Sequence, residues 1–166
     1  MLGILKKLEI FGRKLMFRII APGVSAANTL PALPDGAIID RVLIMRQDRI
    51  GDMIMTLPLL RRLREIHPDL SITVVASESN SIILKHEEDI SVITYDKSPG
   101  KFISSLLAAR DFMPDAVVDM HMHDSTTSFI YAAFSGAEWK LHIDRENRLP
   151  FNIRVEASQD GHIMDA

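Results

Sequence analysis

Apolar residues recur at three- and four-residue steps through the first twenty positions, at Ile4, Leu8, Phe11, Leu15 and Ile19, with Leu5 and Met16 beside them. That period predicts an amphipathic helix over residues 1–20. Lys6, Lys7, Arg13, Lys14 and Arg18 fall on the opposite half of the wheel, interrupted only by Ile10 and Phe17. The pattern then breaks. Residues 21–37, APGVSAANTLPALPDGA, hold three prolines and two glycines with almost no charge, which predicts a linker or extended wrap with a turn at Pro34-Asp35-Gly36.

From Ile38 onward, short apolar runs alternate with stretches of helical period. AIIDRVLIMR predicts a buried strand, followed by a helix from about residue 51 to 66 with Leu57, Leu60 and Leu63 along one face. His67-Pro68-Asp69 stops that helix. LSITVVAS is a second strand, with a short helix over 79–85 after it. ISVITYD is a third, after which Pro99 opens a helix to about residue 111. PDAVVDMHMH is a fourth, followed by a helix of small residues over 126–134 that Gly136 ends, and WKLHI is a fifth. Strands alternating with helices of this length imply βαβ crossovers and a parallel sheet with helices on both faces, an α/β Rossmann-like domain over residues 38–145. Residues 146–166 are polar and irregular and predict no closing helix.

Composition narrows the class. The length of 166 residues suits one domain, and 47% hydrophobic residues supply a real core. The absence of cysteine excludes a disulfide scaffold, a thiolate metal site and a cysteine nucleophile. Residues 1–20 carry five cations against Glu9, a net +4, so the other 146 residues carry −7. A basic amphipathic tip on an acidic body suits the interface of an anionic membrane, or packing on a protein surface. No apolar run is long enough to span a bilayer. Ser25-Ala26-Ala27 has the look of a signal cleavage site, but Arg13, Lys14 and Arg18 break the apolar stretch such a signal needs.

Ligands of open parallel sheets bind beyond the carboxyl ends of the strands, so the chemistry is sought there. MRQDRIGDMIMTLP, residues 45–58, places Arg46, Asp48, Arg49, Gly51 and Asp52 at the first such end. With one glycine it is neither a dinucleotide fingerprint nor a P-loop. A helix start with a glycine presents backbone N–H groups to an anion. Asp52 either caps those groups or serves as a base toward a hydroxyl. Arg46 and Arg49 either hold phosphate or carboxylate groups by paired hydrogen bonds or form a solvated rim with Asp48. After the fourth strand come His121, His123, Asp124 and Ser125, the two histidines sharing one face if the strand runs that far. Hydrogen bonding to a polar ligand or to the loop is favoured there over a two-histidine-plus-carboxylate metal site.

RVLIMRQDRIGDMIMTLPLLRRLREIHPDLSITVVAS, with DAVVDMHMHDSTTS further on, resembles the N-terminal domain of heptosyltransferase-like glycosyltransferases of family 9, over about residues 41–139. The resemblance implies the N-terminal, acceptor-binding half of a GT-B fold. It implies inverting transfer, without an essential metal or cofactor, from a nucleotide sugar such as ADP-heptose to the inner core of lipopolysaccharide. It places the catalytic base on Asp52, and acceptor contacts on Arg46, Arg49, Gly51, His121, His123 and Ser125. The setting it implies is the cytoplasmic face of the inner membrane, with no nucleic acid partner. Met122 departs from the small residue usual in the family after the histidine of the fourth strand. The domain expected to bind the donor is missing, residues 146–166 standing where the connection to it would begin. A non-catalytic module of the same fold, binding a glycolipid or a protein, is the alternative expectation.

Overall fold

The computed structural model describes residues 32–122, 125–143 and 150–155. The helix expected over 1–20, most of the 21–37 linker, His123, Asp124 and most of 146–166 lie outside the described residues.

Six parallel strands form one sheet in the order β3-β2-β1-β4-β5-β6. They are β1 (Arg41–Arg46), β2 (Ser71–Ser77), β3 (Ile90–Tyr95), β4 (Ala116–Asp119), β5 (Trp139–Ile143) and β6 (Ile153–Val155). The helices are α1 (Ile50–Ile66), α2 (Glu78–Ser81), α3 (Pro99–Asp111) and α4 (Thr126–Phe134), with a 3₁₀ segment, Ile82–His86, after α2. β1 lies between β2 and β4, pairing Val42 with Ile72 on one side and with Ala116 on the other. Its two faces therefore feed two cores. Val42 and Ile44 pack with Met53 and Leu60 of α1, while Leu43 and Met45 pack with Ala109 of α3 and Tyr131 and Ala132 of α4. Burial on both sides explains why this strand is apolar without alternation.

The expected α/β architecture is present, with differences at its margins. The first strand begins at Arg41 instead of residue 37, because Ile38 is 77% exposed and Asp40 and Arg41 turn their N–H groups to the Asp115 carboxylate. The region expected as one short helix after β2 is a four-residue α-turn that tightens into 3₁₀ geometry. The fourth strand ends at Asp119, short of both histidines. A sixth strand adds to β5 past residue 145, Leu141 pairing with Ile153. Three residues are too few to show a period, which is why the sequence pattern does not reveal β6.

Helix α4 is capped by Ser135 and followed by Gly136, which has φ +78°. A Cβ there meets nothing within 4 Å, so the requirement for glycine is conformational, not steric. Gly136→Ala is expected to cost about 1 kcal/mol in urea unfolding, the usual penalty for a left-handed alanine. A change below roughly 0.3 kcal/mol, the noise of such measurements, would mean the turn readjusts.

Candidate functional site

The strand order reverses between β1 and β4, since the connection from β1 goes outward to β2 and β3 before the chain returns to β4. That reversal opens a crevice at the carboxyl ends of these two strands, the usual ligand position in doubly wound folds. The polar loop after β1 and the segment 120–122 after β4 meet there, as the contacts of Arg46 show.

Arg46 is the last residue of β1 and is only 8% exposed. Its Nη1 donates to the Met120 carbonyl at 2.5 Å and to Asp48 Oδ2 at 3.4 Å, and its Nε donates to the Asp52 carbonyl at 3.2 Å. Its Nη2 lies 3.7 Å from Asp52 Oδ1. One guanidinium thus ties the end of β1 to the segment after β4 and to the first turn of α1. The same carbonyl of Asp52 also accepts from Thr56 Oγ1 at 2.7 Å. Nε and Nη1 of Arg46 are thus committed inside the protein, and Nη2 faces the Asp52 carboxylate.

Asp52 stands in the first turn of α1, where no side chain makes the N-terminal cap. Its carboxylate is 42% exposed beside Arg46. Arg49 is exposed and has no hydrogen bond or ion pair from its side chain among the described residues. Above Gly51 there is open space, with nothing within 4 Å of where a Cβ would be. Among the described residues the helix start is therefore open to an incoming anion, with the unpaired Arg49 guanidinium next to it.

On the β4 side, Asp119 is fully buried and its Oδ1 accepts from the His121 backbone N–H at 3.1 Å. The same oxygen lies 2.5 Å from His121 Nδ1, and Ser128 Oγ lies 3.1 Å from that nitrogen. A buried carboxylate against Nδ1 holds the proton there and turns Nε2 toward Asp48 Oδ1, 4.0 Å away. Gln47 Nε2 donates to Ser128 Oγ at 3.4 Å, and Asn80 Nδ2 donates to the Arg46 carbonyl at 2.8 Å, which knits the rim further. Ser125 is the N-cap of α4, its hydroxyl accepting from the Ser128 N–H at 3.2 Å.

The crevice thus brings Arg46, Asp48, Asp52 and His121 together and sets Arg49 and Gly51 at its edge. Asp119 and Ser128 are the residues the sequence reading misses. The available signal is an aspartate closing an apolar strand, AVVD, two positions before a histidine. Among the described residues no group of three or more histidine, aspartate and glutamate side chains is placed to hold a metal, and no helix is long and apolar enough to cross a membrane.

This is a doubly wound Rossmann-like domain, and its fold is the one seen in glycosyltransferase family 9. The chain superposes on the glycosyl transferase family 9 protein from Veillonella parvula DSM 2008 with a TM-score of 0.57, at 24% identity. The match covers 70% of this chain and 36% of that one. On the E. coli heptosyltransferase WaaC, solved with ADP, the TM-score is 0.56 at 21% identity, covering 74% of this chain and 42% of the other. This chain therefore spans well under half the length of either. No family model matches the chain, and no curated protein does.

Proposed function

We propose that this chain is the acceptor-binding half of an inverting glycosyltransferase. The reaction moves a heptose or related sugar from a nucleotide-sugar donor of the ADP-heptose kind to the inner core of lipopolysaccharide. One observation carries the reading: the half-exposed Asp52 carboxylate, oriented by a buried Arg46, at the switch point of a fold shared with glycosyltransferases.

In the proposed step, a hydroxyl of the acceptor donates its proton to Asp52 as its oxygen attacks the anomeric carbon of the donor sugar. The bond from that carbon to the nucleotide phosphate breaks on the opposite face, and the configuration inverts. A carboxylate beside the oxocarbenium-like transition state both takes the proton and favours the developing positive charge. Arg49 and the open helix start above Gly51 hold acidic or phosphorylated groups of the acceptor. His121, fixed by Asp119 and Ser128, and the exposed Met122 border the pocket from the β4 side. The donor nucleotide binds to a second domain across the crevice. The basic residues 1–20 hold the enzyme on the anionic cytoplasmic face of the inner membrane, where the acceptor lies.

NMR titration of the chain with a phosphorylated inner-core oligosaccharide tests the binding half of this reading. Backbone shifts are expected at Arg49, Gly51 and Asp52, and Arg49→Ala is expected to weaken binding about tenfold, the value of one charge-assisted contact. Shifts confined to other surfaces, or an affinity indifferent to Arg49→Ala, would reject the assignment.

A further inference from the structure

Asn80 is fully buried, although the other residues of the short helix α2 are all exposed or partly exposed. Burying an amide is costly unless its polar atoms find partners. One of them does: Nδ2 donates to the Arg46 carbonyl at 2.8 Å. The other, Oδ1, is buried with no hydrogen bond among the described residues. An apolar side chain would leave no such orphan, so packing alone does not account for an amide here. What accounts for it is the carbonyl it holds.

That carbonyl belongs to the last residue of β1, which lies opposite Ala76 of β2. From there the Arg46 side chain leaves the sheet for Met120, Asp48 and Asp52. Asn80 thus grips Arg46 by its backbone from the β2 side, and the Met120 carbonyl grips its guanidinium from the β4 side. Between these two grips, Nε is set against the Asp52 carbonyl in the first turn of α1. The turn that carries Asn80 is itself fixed. The Asn80 N–H donates to Ser77 Oγ at 3.4 Å, and Leu84, 2% exposed, anchors the 3₁₀ segment that follows. An amide holds the carbonyl without adding a charge beside the guanidinium.

We infer that Asn80 is a positioning residue for Asp52, acting through Arg46 on the first turn of α1. The inference rests on the reading of Asp52 as the base for sugar transfer. No hydrogen bond joins Asn80 to Asp52 among the described residues, so its loss reaches the carboxylate by way of Arg46.

Asn80→Ala tests this, with Ser105→Ala as the control. Ser105 is also buried, and its hydroxyl bonds Tyr131 in the core on the other side of the sheet. Urea unfolding is expected to show a loss of stability of similar size in both. In the full chain, NMR follows hydrogen exchange of the Arg46 Nε–H. Exchange is expected to be about tenfold faster in Asn80→Ala and within about twofold of the parent in Ser105→Ala. With the chain joined to a donor-binding domain, Asn80→Ala is expected to lower kcat about thirtyfold, with the acceptor KM within about threefold of the parent. Asn80→Val, which fills the space without offering a donor, is expected to act alike and serves if the alanine variant does not fold. Exchange at Arg46 that is indifferent to both Asn80 variants overturns the inference. So does faster exchange with kcat unchanged, or a fall in kcat that Ser105→Ala reproduces. A parent that transfers no sugar counts against Asp52 as the base, and the exchange rates then decide by themselves whether Asn80 places Arg46.

Discussion

Replacing Arg46 by methionine is expected to destabilise the domain by about 3 kcal/mol, the low end for breaking a buried ion pair. The substitution keeps most of the side-chain volume, so the loss is electrostatic and not a cavity. The Met120 carbonyl and Asp48 Oδ2 lose the donor they have here, while the Asp52 carbonyl keeps Thr56 Oγ1. Asp48 and Asp52 are 23% and 42% exposed and regain some hydration, which keeps the cost from reaching the upper end of that range. For a chain of this size the change corresponds to a fall in Tm of roughly 9 °C. Arg46→Lys is expected to recover about half, because an ammonium reaches one carbonyl but has no planar fork to span β4 and α1 together. Urea unfolding of the three proteins checks both numbers. A loss under 1 kcal/mol for the methionine variant, roughly the value of a solvated pair, would return Arg46 to the exposed rim.

That residue also shows where the sequence is legible and where it is not. The apolar run VLIM is readable as a strand buried on both faces, since only a central parallel strand excludes water from every position. The helix over 50–66 is readable from Leu57, Leu60 and Leu63, which lie against the core as their spacing requires. The register that puts Met45 beside Asp119 is set by contacts 74 residues apart and leaves no local trace. Whether Arg46 meets solvent or the Met120 carbonyl depends on that register alone. The same holds for Asp119. A carboxylate closing an apolar strand is visible in AVVD, but its partner His121 arrives from the next loop and is held in turn by Ser128 of α4. His121 and His123 read as strand neighbours because apolar and polar residues alternate through VVDMHMH, whereas pairing ends with Asp119. The loop is held instead by side chains, Arg46 taking the Met120 carbonyl and Asp119 taking the His121 N–H. Pattern thus locates the crevice, and long-range pairing decides which of its charges are structural.

That division separates the two acids at the end of β1. Asp48 is the more enclosed, near both Arg46 and His121, and its Oδ1 is buried without a hydrogen bond. Asp52 is more exposed and lies against Arg46 at 3.7 Å. A base toward a ligand hydroxyl must reach that hydroxyl at hydrogen-bond distance, which favours Asp52. Asp48, in contrast, offers its charge to the protein.

Asp52→Asn is therefore expected to lower sugar transfer about a thousandfold, the middle of the range for removing a general base. The measurement is transfer from ADP-heptose to an inner-core acceptor, with this chain joined to a donor-binding domain. Asparagine keeps the shape of the side chain and can still accept a hydrogen bond from the acceptor hydroxyl, so acceptor affinity should stay within about threefold of the parent. Stability should change by less than about 0.5 kcal/mol, because the pair with Arg46 is half exposed and makes no cap. Asp52→Ala should match the asparagine variant in rate, since neither side chain can take a proton from a hydroxyl. The mirror experiment is Asp48→Asn, which leaves Asp52 in place but weakens the charge facing Arg46 and His121. It should cost stability first and rate second, with transfer falling about tenfold through misplacement of the crevice and not through loss of the base. Transfer that survives Asp52→Asn and collapses with Asp48→Asn would exchange the roles of the two carboxylates. Near-normal rates in both would remove general-base chemistry from this loop and leave it as a binding surface.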